Sequence, residues 1–139
     1  MGTKISDVMS PRPVTVAPDM TLVEAARQMR DDAIGDVIVA EAGHIRGIVT
    51  DRDIVVRAIA DDRPAGEVTV GDICSAELTT VAPDDKIERA IGLMRHRAIR
   101  RLPVIEDGRV VGVVSLGDLA IERDDHSVLA DISAAVPNF

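Results

Sequence analysis

Displaced by 65 residues, the chain largely repeats itself. Thr15-Val16-Ala17-Pro18-Asp19 falls on Thr80-Val81-Ala82-Pro83-Asp84, and Gly47 to Asp53 falls on Gly112 to Asp118. The alignment needs no gap from Ile5/Val70 through Val55/Ala120. A duplication of this length predicts two copies of one folding unit related by a pseudo-two-fold axis. The matched positions include polar residues, so it also predicts two equivalent sites. A unit of about 60 residues is marginal alone, so the copies are expected to share a core.

Each copy reads as strand, helix, strand, strand, helix, an α/β (α+β) arrangement. Short extended segments, Val14-Thr15-Val16 and Thr79-Thr80-Val81, lead through a Pro-Asp turn into a helix. Leu22, Ala25, Ala26 and Met29 form one helical face, repeated by Ile87, Ala90, Ile91 and Met94. Thr21 with Glu24 fits a capping box. Two strands follow in each copy, Val37–Ala40 with Ile45–Val49 and Leu102–Ile105 with Val110–Val114. Their turns carry Gly43 and Gly108, and Asp107-Gly108 is a hairpin signal because both residues tolerate positive φ. The nearly continuous apolar runs predict strands buried on both faces. A second helix should bury Ile54, Val55, Ala58 and Ile59, and its counterpart should begin at Asp118 or Leu119. Residues 61–67 read as a linker. The domains are thus 5–60, 70–123 and an extension, 124–139, in which 127–136 could form a short amphipathic helix with Val128, Leu129 and Ile132 as contacts.

The end of the third strand is richest in chemistry. Gly47-x-x-Thr50-x-x-Asp53 matches Gly112-x-x-Ser115-x-x-Asp118. One reading is helix capping, the hydroxyl accepting from the first turn and the carboxylate reaching back to the cap's N–H. The other is ligand binding. Helix N-termini favour anions, and a carboxylate accepts both hydrogens of a ribose cis-diol. The readings are compatible.

In order, and twice over, these segments resemble a tandem pair of cystathionine-beta-synthase (CBS) domains, as found in small stand-alone bacterial proteins. Arg100 to Ser115 and Gly47 to Ile54 carry the likeness, which covers the chain from Ile5 to Arg123. The resemblance implies two CBS repeats packed as one Bateman module, a regulatory unit that binds AMP, ADP, ATP or S-adenosylmethionine in clefts between the copies. It implies that Asp53 and Asp118 hold ribose hydroxyls and that Thr50 and Ser115 lie near phosphate. Backbone and apolar groups of Val14 to Val16 with Gly35 to Ile38 would embrace the base in one cleft, and those of Thr79 to Val81 with Arg100 to Pro103 in the other, which makes Thr15, Val16, Asp36, Val37 and Ile38, and Thr80, Val81, Arg100, Arg101, Leu102 and Pro103, candidate site residues. It further implies a homodimer, a flat disc of four CBS copies.

The clefts differ. Arg95, His96, Arg97, Arg100 and Arg101 crowd the second copy, either as solvated cations at a helix end or with an arginine reaching a phosphate. At matching positions the first copy has Asp36 for Arg101 and Ile38 for Pro103, which counts against polyphosphate there; Arg52, matched by Gly117, could compensate.

Composition narrows the classes. A net charge of -8 opposes nucleic acid or an anionic membrane as the main partner. The apolar stretches are far shorter than the roughly 20 residues that span a bilayer, and the N-terminus lacks a signal-peptide pattern. The lone Cys74 fits a reducing cytoplasm. Phe139 is the only aromatic of the Phe, Tyr and Trp class, so a flat ring would lie between aliphatic side chains. His44, His96, His126 and Cys74 lack close metal-ligand spacing; Asp124-Asp125-His126 could touch a cation but reads first as a solvated tail. No GxxxxGKS/T, GxSxG or HExxH is present. The expectation is a non-enzymatic sensor of adenine nucleotides, with no required cofactor, acting on an unknown effector protein. The alternative is a structural or interaction protein without a nucleotide ligand. A nucleotide hydrolase would need a base or metal cluster that the sequence does not offer.

Overall fold

The computed structural model describes residues 2–75 and 78–123. The expectations for residues 124–139, including the 127–136 helix and Asp124-Asp125-His126, lie outside the described residues. The elements in chain order are α1 (Ile5–Val8), β1 (Ser10–Pro11), β2 (Thr15–Val16), α2 (Leu22–Asp32), β3 (Asp36–Glu41), β4 (His44–Thr50) and α3 (Asp51–Ile54), which runs into a π-helical turn (Val55–Ile59). Then come α4 (Val70–Ile73), α5 (Ile87–Arg97), β5 (Arg101–Glu106), β6 (Arg109–Ser115) and α6 (Leu116–Arg123).

Two compact units form. The first-copy unit is Val14–Leu78; the second-copy unit joins the chain up to Pro13 with the chain from Thr79 onward. The units are offset from the sequence repeats, because each repeat's opening arm packs with the other repeat. The cores record the exchange. Val16, Leu22, Ala25, Met29, Val37, Val39, Val49 and Ile54 cluster with Val70 and Ile73 of α4. Their counterparts from Val81 to Leu119 cluster with Ile5 of α1. Residues 61–67, read as a linker, belong to the first-copy unit: the Ala65 carbonyl accepts from Val23 N at 3.1 Å.

In the first-copy unit β2 pairs parallel with β3, and β3 pairs antiparallel with β4. In the second-copy unit β1 and β5 flank β6, both antiparallel to it. Positive φ at Ala42 and Gly43, and at Asp107 and Gly108, closes both hairpins. Each hairpin shifts register once, at Val39/Ala40 and at Val104/Ile105.

Four local expectations are corrected. The strand expected at Thr79–Val81 is a single bridge, Val81 with Val104. Ala26 is exposed while Leu22, Ala25 and Met29 are buried, because residues 25 and 26 lie about 100° apart on a helix. Val55 and Ile59 are 54% and 60% exposed, and only Ile54 and Ala58 of the expected set are buried. Val55 and Ile59 follow the buried Ile54 and Ala58 by one residue each, about 100° round the helix, and so lie off the buried face. Finally, α6 begins at Leu116 rather than Asp118 or Leu119: Asp118 is the third residue of the helix, and its N–H bonds back to Ser115.

Candidate functional site

Both Gly-x-x-Thr/Ser-x-x-Asp segments form complete capping boxes. Asp53 N donates to Thr50 Oγ1 at 3.0 Å, and Thr50 N donates to Asp53 Oδ2 at 2.9 Å. Asp118 N donates to Ser115 Oγ at 3.1 Å, and Ser115 N donates to Asp118 Oδ2 at 2.9 Å. Each box sits where a strand turns directly into a helix. The junction is tied to the start of the partner strand, Asp51 N donating to Gly35 O at 3.0 Å and Leu116 N to Arg100 O at 2.8 Å. Hydroxyl and carboxylate stay half-buried, and the Asp53 side chain is 24% exposed. One oxygen of each carboxylate is bound inside the box; the other has acceptor capacity that a diol could use.

The glycine of each motif has a packing reason. A Cβ at Gly47 would meet Ser75 O at 2.6 Å and Cys74 Cβ and Sγ at 2.9 Å; one at Gly112 would meet Met9 Sδ at 2.5 Å and Ser10 O at 2.9 Å. Cys74-Ser75 and Met9-Ser10 are matching positions, so the same arm crosses the same glycine in both units. Its carbonyl and side chain leave no space for a methyl group.

Two further expected site residues lie directly across the ladder from the boxes. Asp36 is half-buried and directly opposite Thr50 in the β3–β4 ladder; Arg101 is half-buried and directly opposite Ser115 in the β5–β6 ladder. Thr15 is exposed beside Ile38 on the parallel ladder, Thr80 is half-buried, and Arg52 and Arg100 are exposed. The side chains of Val16, Val37, Ile38, Val81, Leu102 and Pro103 are buried. Arg95, His96 and Arg97 occupy the last turn of α5, where cations suit the helix dipole.

Three features were not read from the sequence. Arg57 Nε lies 3.8 Å from Asp53 Oδ1, and its guanidinium donates to Ile73 O at 3.1 Å. The signal was available, since Asp53 and Arg57 have the i,i+4 spacing of a helical ion pair. The counterpart of Arg57 is Glu122, whose Oε1 accepts from Thr3 Oγ1 at 2.9 Å. A third capping box joins Thr69 and Asp72. The Thr69 N–H and hydroxyl hold the Asp72 carboxyl below its ordinary value of 3.8, with a smaller contribution from the Arg63 charge. In addition, an apolar groove of about 570 Å³ lies between α5 and α6, with Ile91, Met94, Leu116 and Leu119 on its walls and Arg95 and Arg100 among its lining. Ser115 and Asp118 do not line it.

The model of the CBS domain matches twice, over residues 5–59 and 61–124. The chain belongs to the CBS family. The CBS domain-containing protein YhcV of Bacillus subtilis (strain 168) is 38% identical over 121 residues, 87% of this chain and 86% of the relative. The crystal structure of Hypoxic Response Protein I, which has two coordinated zinc ions, has a TM-score of 0.78 and 30% identity, covering 86% of this chain and 98% of that one. The CBS domain pair of protein MJ0100, in complex with 5′-methylthioadenosine and S-adenosyl-L-methionine, has a TM-score of 0.80 and 26% identity, covering 88% and 97%. Among the described residues of this CBS pair, no group of three or more His, Cys, Asp or Glu could hold a metal ion. No described helix is long and apolar enough to cross a membrane.

Proposed function

We propose that this CBS pair is a cytoplasmic regulatory module that binds adenosine ligands of the AMP, ADP and ATP class, with S-adenosylmethionine as a further candidate, and is not an enzyme. The observation that carries the reading is the doubled box: a half-buried hydroxyl and carboxylate, at one register, in both units. The carboxylates suit a ribose diol and the hydroxyls a 5′ substituent. The adenosine compounds bound by the MJ0100 pair support the ligand class. Binding would act by favouring whichever conformation or assembly holds the ligand better, and the output would pass to an effector protein. A second copy of the chain is the expected partner, through the exposed apolar row Val55, Val56 and Ile59.

Thermal melts with adenosine, AMP, ADP, ATP and S-adenosylmethionine test this. A ligand at about 100 times its Kd stabilises the folded state by about 2.7 kcal/mol, so at least one compound should raise Tm at millimolar concentration. No shift with any of them would overturn the reading.

The second reading, a structural or interaction protein, is favoured by the completeness of the capping boxes, which gives Thr50, Asp53, Ser115 and Asp118 a structural role without any ligand. Under that reading Asp53→Ala and Asp118→Ala lower stability by about 1 kcal/mol each and change no ligand response.

A further inference from the structure

The first-copy unit presents an apolar row and the second-copy unit an apolar groove. Val55, Val56 and Ile59 stand exposed on the π turn. Ile91, Met94, Leu116 and Leu119 wall the groove between α5 and α6. The repeat explains the difference. The positions matching Ile91 and Leu116 are Ala26 and Asp51, one small and one charged, so the first copy lacks two of the apolar walls.

Charge separates the two surfaces as well. Asp61 and Asp62 follow the row and are fixed beside it: Asp61 N donates to Ala58 O at 3.2 Å, and Asp62 N to Ile59 O at 3.0 Å. Arg95 and Arg100 line the groove, and Leu116 N pins Arg100 by donating to its carbonyl at 2.8 Å. All four side chains are exposed, and among the described residues none of the four makes an ion pair. Of the other charges at the row, Arg57 is held by Asp53 and by Ile73 O, and the neighbours Asp51 and Arg52 offset each other.

We infer that the row of one copy seats in the groove of a second copy, and that the contact is made twice to close a head-to-tail dimer. The inference rests on the homodimer of the proposed function, which named only the row, and adds the surface that receives it. An exposed ridge filling an apolar groove takes both out of water. Asp61 and Asp62 then meet Arg95 and Arg100 of the partner subunit. The other pairings set like against like. Row against row opposes carboxylates to carboxylates, and groove against groove opposes guanidiniums to guanidiniums, a cost that selects against the wrong faces. In a chain of net charge -8, whose copies repel one another at a distance, a local match of opposite sign decides which surfaces approach. Made in both directions the contact closes a two-fold pair; made in one direction it would propagate as a filament.

Charge exchange in the full chain, read by sedimentation velocity, tests the pairing. Asp61→Lys with Asp62→Lys makes the row basic, and Arg95→Glu with Arg100→Glu makes the groove acidic. Each double variant alone should self-associate at least about tenfold more weakly than the parent, because its row and groove now share a sign. An equimolar mixture of the two should recover association to within about threefold of the parent, since both contacts of the mixed dimer join opposite signs. All four positions are exposed, so folding should be kept; circular dichroism melts check it, and the milder Arg95→Gln with Arg100→Gln should weaken association in the same direction. An acidic-groove or neutral-groove variant that dimerises like the parent, or a mixture that stays monomeric, overturns the row-to-groove pairing while the homodimer stands. Parent species that grow beyond a dimer overturn the two-fold closure. A parent that is monomeric at every concentration overturns the homodimer too, and adenosine binding, read by its own melts, stands or falls separately.

Discussion

Replacing Gly47 with alanine tests the packing that defines each CBS unit. The new methyl carbon would stand 2.6 Å from Ser75 O and 2.9 Å from Cys74 Cβ. An ordinary carbon–oxygen contact is about 3.4 Å, so the arm must retreat by most of an ångström across β4, and backbone cannot swing aside as a side-chain tip can. Overpacking of this kind costs about 1–3 kcal/mol. Alanine also lowers the entropy of the unfolded chain, which returns about 0.4–1 kcal/mol. The net loss is about 1–2 kcal/mol. For a 139-residue chain with an unfolding entropy near 2.1 cal/mol/K per residue, that lowers Tm by about 3–7 °C. Gly92 is the internal control: it lies exposed within α5, and a Cβ there meets nothing within 4 Å. Gly92→Ala should therefore gain up to about 1 kcal/mol of helix propensity and raise Tm. Differential scanning calorimetry of both variants reads the result. A Gly47→Ala protein that melts at or above the parent, with Gly92→Ala stabilised as expected, would refute the close crossing of the arm.

Other outcomes can be checked alongside. Ser115→Ala and Asp118→Ala should each cost about 1 kcal/mol in urea melts, since each removes one side-chain-to-backbone bond of the box; no loss in either variant would contradict the geometry. Asp72 gives a pH signature. Its folded-state carboxyl titrates below the ordinary value of 3.8, so its contribution is complete above that value and is lost as pH falls through the lower folded-state value. The stability gap between the parent and Asp72→Asn should accordingly narrow in acid, and a gap constant with pH refutes the assignment. Val55→Ser with Ile59→Ser should leave intrinsic folding stability within about 0.5 kcal/mol, as befits exposed positions, while weakening self-association in analytical ultracentrifugation; unchanged association removes that row from the proposed dimer.

Much of this was legible in the residues. The repeat fixed the order of elements, and the buried sets came from ordinary periodicity: each of Leu22, Ala25 and Met29 has a buried counterpart 65 positions on. Thr50 and Ser115 revealed their boxes because capping chemistry is local. Thr21 was only half right. Its hydroxyl accepts from Glu24 N at 3.2 Å, but the Glu24 carboxylate accepts from the Thr21 hydroxyl, not from its backbone. What escaped was non-local. Val55 and Ile59 are as apolar as their neighbours Ile54 and Ala58, and only the packing of the whole unit decides which of the two adjacent rows turns inward. The arm exchange also escaped, since Ile5 and Val70 look alike in sequence whichever core they enter.

That exchange makes the halves interdependent. A lone repeat would carry an arm with no strand of its own to cross, and a glycine channel with nothing to fill it. Two such repeats satisfy each other reciprocally, which is the logic of a domain-swapped dimer written into a single polypeptide. Cutting the gene at its midpoint would therefore yield two fragments that must find one another again before either is whole.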